Sequence, residues 1–180
     1  MSERALERLR MLLREQGGLM ASLVDGSGPG AGPADPGAAP TASPSPATLA
    51  AGGPRAEGRR EEYELLVEAI YEGYLLHYGS PRVVRVGEAD LGLLAGDQLY
   101  AIGLARLITL GDTAAVVELA DTITLSALAQ GAGEEALADA VWAAGARAVG
   151  WGSSDGHRRA KSLLSEGAPG AFEAMRTSAM

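Results

Sequence analysis

Apolar residues recur along most of this chain at the spacing of a helix rather than a strand. From Arg59 to Tyr78, the residues Tyr63, Leu66, Val67, Ile70, Tyr71, Tyr74, Leu75 and Tyr78 follow one another at intervals of one, three and four. That pattern predicts an amphipathic helix, with Gly79 placed to stop it and Pro81 just beyond. Arg82 to Val86 reads as a brief strand or an extended connector. Leu91 to Leu110 is apolar nearly all round, which predicts a helix at the centre of a bundle. Gly111 breaks that run, and Asp112 is suited to cap a further helix over Thr113–Gln130. So short a break predicts that the two helices lie side by side and antiparallel, and that together they form the centre. Glu134 to Val149 carries Leu137, Val141, Ala144 and Ala148 on one face, and a short helix with Leu163 and Leu164 follows a basic turn.

Before residue 59 the pattern is different. Leu6, Leu9, Leu12 and Leu13 share one side of a short segment whose other side alternates Glu and Arg. A helix of this length is marginal alone in water, so it is expected as a separate, detached or loosely docked element within residues 1–24. Residues 25–58 hold seven of the nine prolines and are otherwise mostly Gly, Ala, Ser and Thr. Such a composition offers little apolar area to offset the entropy of ordering, and a disordered linker is expected there. The reading is therefore all-α. A bundle of four to six helices spans 59–166, behind a linker and a short N-terminal helix, with a tail at 167–180.

Composition narrows the function more than the fold. A net charge of −8, with Glu61, Glu62, Glu64 and Glu68 on one helix, argues against nucleic acid as a partner. No cysteine is present and His77 and His157 are far apart, so no metal site or cofactor is expected. Lys161 is the single lysine among fifteen basic residues, a bias expected of a GC-rich bacterial genome. The run Leu91–Leu110 contains Asp97, Gln98 and Arg106. A central charge costs about 2.5–3.5 kcal/mol on insertion, so no membrane segment is expected and the chain is read as cytoplasmic.

No nucleophile–base arrangement and no phosphate-binding loop can be assembled, so no catalytic residue is assigned and the chain is not expected to be an enzyme. Tyr63, Tyr71, Tyr74 and Tyr78 fall on one helix face and, with His77 and Tyr100, are the candidate interface or pocket residues. Tyrosines so placed either line the boundary of the core with their hydroxyls outward or face a ligand or a partner. The turn with His157, Arg158, Arg159 and Lys161 is either a solvated surface or an anion site near a helix N-terminus.

One string is more specific. Leu94-Ala95-Gly96-Asp97, followed by Leu99 and a long small-residue helix, resembles a helix of the polyprenyl diphosphate synthases. It is similar above all to the small non-catalytic component 1 of two-subunit heptaprenyl diphosphate synthases, and Glu118-Leu119-Ala120-Asp121-Thr122-Ile123 extends the likeness loosely. About a third of the chain, Asp90 to Leu125, is covered. The aspartate-rich DDxxD motifs of the catalytic members are absent, and no two aspartates are adjacent anywhere. The resemblance therefore implies a non-catalytic accessory or regulatory subunit partnered by a catalytic prenyl synthase. A generic helical interaction module, self-associating or bound to another protein, is the alternative. Asp97, after Gly96, is read as a structural cap following a kink, and Asp112 as the cap of the next helix.

Overall fold

In the computed structural model, which describes residues 3–26 and 45–180, the helical periodicity becomes nine α-helices, with no strand among the described residues. They are α1 (Glu3–Gln16), α2 (Gly18–Asp25), α3 (Pro46–Gly52), α4 (Arg60–Tyr78), α5 (Ala89–Thr109), α6 (Thr113–Gly131), α7 (Glu135–Trp151), α8 (Asp155–Ser165) and α9 (Ala171–Ser178). The all-α bundle expected from the sequence is present, and five of these helices, α4 to α8, fall in the span 59–166.

Helices α4 and α7 organise the interior. One cluster of buried side chains joins α3, α4, α6 and α7, with Leu107 of α5, around Tyr63, Ile70, Leu119 and Trp142. A second joins α1, α2, α4 and α5 around Leu9, Leu13, Leu23 and Leu99. A third joins α6, α7, α8 and α9 around Leu137, Val141, Leu164 and Met175. Helix α4 thus serves the first two and α7 the first and third. Tyr63 meets Asp112 at the head of α6, and Gln130 Nε2 donates to Tyr74 Oη over 2.7 Å near its end. Helix α6 therefore runs parallel to α4. Helix α5 runs the other way, since Gly103 lies against Leu66 and Ile70, Gly96 against Gly73, and Gly92 against Leu76.

The closest approach of α4 and α5 needs glycine on both sides. A Cβ on Gly96 would sit 2.6 Å from the His77 ring, and one on Gly73 would sit 2.9 Å from the Gly96 carbonyl oxygen. A second such crossing joins α3 to α7, where a Cβ on Gly150 would stand 2.5 Å from the Ala50 carbonyl oxygen and one on Gly53 would overlap the Gly150 backbone.

Five expectations are corrected. Residues 45–58 are not linker: Ser45 Oγ accepts from Thr48 N (3.2 Å) to cap α3, whose Ala47, Ala50 and Ala51 are buried, as is Ala56 in the 3-10 turn beyond. Small side chains let this Pro- and Ala-rich segment approach α7 closely, which composition alone does not reveal. Residues 27–44, the rest of the expected linker, lie outside the described residues.

The N-terminal helix is not separate, because Leu9 and Leu13 are fully buried and Arg8 Nη1 pairs with Glu61 Oε2 at 3.1 Å. Helix α2 follows it, and Arg14 Nε bonds Asp25 Oδ1 at 2.8 Å across the pair. Helices α5 and α6 are not the centre; each has an outward face, and they diverge around the first cluster, although their directions are antiparallel as expected. Asp97 is not a cap. It lies inside α5, largely exposed, with Oδ1 3.1 Å from His77 Nε2. The residues 167–180 also form more than a tail, for α9 buries Ala171 and Met175.

Asp112 does cap α6, accepting from Ala115 N at 3.0 Å. It also accepts from Arg55 Nη2 at 2.7 Å and from the Tyr63 hydroxyl, so one carboxylate joins the 3-10 turn, α4 and α6. Burial opposes its ionisation, but the bonds from Tyr63, Ala115 and Arg55 outweigh that and hold its pKa below the ordinary range.

Candidate functional site

Tyr71, Tyr74 and Tyr78 follow the helical repeat of α4 and turn toward α7, where Trp142 fills the gap between the two helices. Tyr71 and Trp142 meet edge-on with centroids 4.9 Å apart, Tyr74 and Trp142 at 5.1 Å, and Tyr74 and Tyr78 at 5.4 Å. His77 stacks flat on Tyr100 of α5 at 5.4 Å. The structure brings Tyr71, Tyr74, His77, Tyr78 and Tyr100 into one aromatic band. It sets Tyr63 apart, at the other end of α4 against Asp112. Burial raises the pKa of Tyr71, Tyr74 and Tyr100. Tyr63 is pushed up to about 12, by burial first and by its bond to Asp112 second. Trp142 was not among the sequence candidates; only its place on an otherwise small-residue face could have marked it.

Two ionic groups sit beneath the helices, and sequence reasoning missed both. In the first, Glu72 Oε1 accepts the backbone N–H groups of Arg82 (2.7 Å), Val83 (2.6 Å) and Val84 (3.1 Å). Its Oε2 accepts from Arg82 Nε at 3.3 Å, and the same guanidinium pairs with Glu68 and lies over the Tyr71 ring. Burial raises the pKa of Glu68 above the ordinary carboxylate range, with Arg82 opposing. This group fastens the connector between α4 and α5 to the bundle. The signal was acids at positions 68 and 72 inside a run of apolar residues.

In the second group, Glu118 Oε2 lies 3.1 Å from His157 Nε2 and 2.9 Å from Lys161 Nζ. Lys161 also reaches Asp121 Oδ2 at 2.7 Å, and His157 Nδ1 lies 3.2 Å from Ser178 Oγ. Burial pushes the Glu118 carboxyl up, but the bonds from His157 and Lys161 overcome it and bring the pKa to about 2. The basic turn is thereby split. His157 and Lys161 turn inward, Arg158 pairs with Asp155, and Arg159 stays exposed. Among the described residues, no group of three His, Asp or Glu side chains is placed to hold a metal ion.

The outer faces of α5 and α6 are the most apolar surface that nothing covers. Leu94 and Ile108 are each 58% exposed, Val117 57% and Leu128 52%. Charge is sparse there: Leu94 to Leu110 contains only Asp97 and Arg106, and the acids of α6, Glu118 and Asp121, are both held by Lys161 of α8. Helix α5 is long and apolar enough to cross a membrane, with about a third of its most apolar stretch buried against the bundle. In the Leu94–Asp97 string, Ala95 and Gly96 are buried on α4, whereas Leu94 and Asp97 face outward. No family model, curated protein or solved structure matches the chain.

Proposed function

We propose that this protein is a non-catalytic helical accessory subunit that docks an apolar helical face of another protein onto the outer sides of α5 and α6. The observation that carries this reading is the exposure of Leu94, Ile108, Val117 and Leu128 on two neighbouring helices, where α5 carries only Asp97 and Arg106 as charges from Leu94 onward. Monomeric proteins seldom leave large apolar side chains grouped in this way, and such surfaces mark protein contacts. The bonds of Glu118 and Asp121 to Lys161 favour the same reading, because they draw the acids of α6 away from the outer face.

The test is affinity capture with the tagged full chain and with I108E/V117E, the bound proteins being identified by mass spectrometry. A protein retained by the wild type and lost from the charged variant supports the docking face. Equal retention by both, or no protein retained by either, overturns it. Light scattering of the purified chain separates a second copy from a different partner.

A second reading names the partner as a catalytic prenyl diphosphate synthase. Leu94 favours it: packing on α4 accounts for Ala95 and Gly96, and His77 of α4 meets Asp97, but neither accounts for the outward Leu94. Mixing the purified chain with such a synthase should change the chain length or rate of its product. An unchanged product profile removes this reading and leaves the docking face untouched.

A further inference from the structure

A cleft of about 790 Å³ opens where α7, α8 and α9 converge, and no residue of α4, α5 or α6 lines it. Its size lies within the range of small-molecule sites. Arg147 and Trp151 face it from α7, one turn apart, with the guanidinium 4.9 Å from the Trp151 ring centre. Gly156, Arg159 and Leu163 share one face of α8 at helical spacing, and α9 supplies the third wall. Much of this lining is apolar, from the Trp151 ring, Leu163, Ala174 and Met180.

The charges of the cleft run against those of the whole chain. Most carboxylates that approach a cation in this acidic protein are spent elsewhere, and Arg147 and Arg159 make no ion pair with any described residue. The acid on the rim, Glu173, is held by Arg176 through bonds of 2.8 and 3.1 Å. The wall below is rigid, since His157 is 3% exposed and its two ring nitrogens meet Glu118 and Ser178. Gly156 adds a further sign. Its backbone does not require glycine, and a Cβ there would meet only Ser154 Oγ, at an ordinary 3.7 Å. Packing therefore gives no reason for glycine at this second position of α8. What its bareness does is leave the first turn of α8 open to the cleft, beside the two arginines.

We propose that this cleft binds a small organic anion with an apolar body, its acid group held by Arg147 and Arg159 and its body laid against Trp151 and Leu163. The acid group is a carboxylate or a phosphate monoester, since both take arginine in the same forked geometry.

The experiment is calorimetric titration of the full chain with octanoate, octyl phosphate and uncharged octanol. At least one anion should bind, tenfold or more tightly than octanol, and the tighter of the two names the acid group. R147Q and R159Q should each weaken that anion by tenfold or more, while R147K, which keeps the charge but not the fork, restores only part of what R147Q loses. G156A, which adds only a methyl group and favours the helix, should raise the melting temperature and weaken binding. Each variant is first shown by circular dichroism to keep the wild-type helix content. The proposal is overturned if neither anion binds, if octanol binds as well as they do, or if R147Q and R159Q leave the affinity unchanged.

Discussion

Helix α4 buries two glutamates, Glu68 at 1% exposure and Glu72 at 0%, whereas α5, far more apolar in sequence, leaves Leu93, Leu94 and Ile108 exposed. The two helices pack on each other along their length, so the difference does not come from position along the chain. It comes from what lies on their far sides. Helix α4 has α1 and α2 to one side, α3 to the other and Trp142 beyond. Helix α5 reaches α4, the connector and, through Leu99 and Leu107, the edges of two clusters, but no described element lies over Leu93, Leu94 and Ile108. Apolar content says what a helix tolerates in the interior; coverage depends on how many other elements reach it. Acids can be buried in α4 because Glu72 is given three backbone N–H groups and a guanidinium, which replace the water it loses.

The sharpest way to break this contrast is to remove Glu72. E72A leaves Arg82 and the three amides without their acceptor, and the loss of one partner from a buried ionic group costs about 3–5 kcal/mol. Urea denaturation should show that loss. E68Q should cost clearly less, because Arg82 keeps Glu72 and burial already disfavours charge on Glu68. If the two variants were equally destabilised, the connector would not be held by the amide bonds described.

Next in size is the contact between α4 and α5. G96A forces a methyl group toward the His77 ring and the Gly73 carbonyl. Overpacking of this kind costs about 1–3 kcal/mol, although alanine is the better helix former. A melting temperature at or above wild type would mean that the two helices can separate slightly at no cost.

The second ionic group gives a pH test. Glu118 titrates at about 2 in the folded chain, against an ordinary value of 4.5. A folded pKa below the unfolded one contributes stability that is fully present above pH 4.5 and is lost as the pH falls toward 2. Stability measured from pH 6 to pH 2.5 should therefore fall less steeply in E118Q than in wild type. Parallel curves would show that other carboxylates govern the acid limb.

The smallest effect on stability belongs to the outer face. I108E should change the unfolding free energy by no more than about 0.5 kcal/mol, since Ile108 is mostly exposed. A large loss would mean that α5 is covered after all, and the contrast with α4 would fail.

Much of this was legible in the pattern of residues. The repeat from Tyr63 to Tyr78 announced α4, and Gly111-Asp112 announced both the break and the cap that the structure contains. Helical spacing also put Tyr71, Tyr74 and Tyr78 on one face of α4, but it did not tell that Tyr63 stands apart or that His77 meets Tyr100 of α5. Coverage was not legible. Nothing local in Leu91–Leu110 distinguishes a central helix from one with a bare side, since both are apolar all round. Nor could the order of residues 45–58 be read from their composition, for proline and glycine signal a loop, and the small area of alanine counts as core only once a second helix approaches it closely. The ionic groups escaped for the same reason. Glu72 and Arg82 are ten positions apart and Glu118 and His157 thirty-nine, and no periodicity connects them.

The crossing of α3 over α7 has a consequence in time. Gly53 and Gly150 touch backbone to backbone but are made ninety-seven residues apart. At a synthesis rate of roughly 5–20 residues per second, α3 leaves the ribosome about 5–20 s before the surface it needs exists. During that interval α1, α2, α4 and α5 can assemble around their own cluster, while Ala47, Ala50 and Ala51 have only α4 to rest on. Until α7 is made, the backbone of Gly53 therefore lacks the neighbour that its close packing requires.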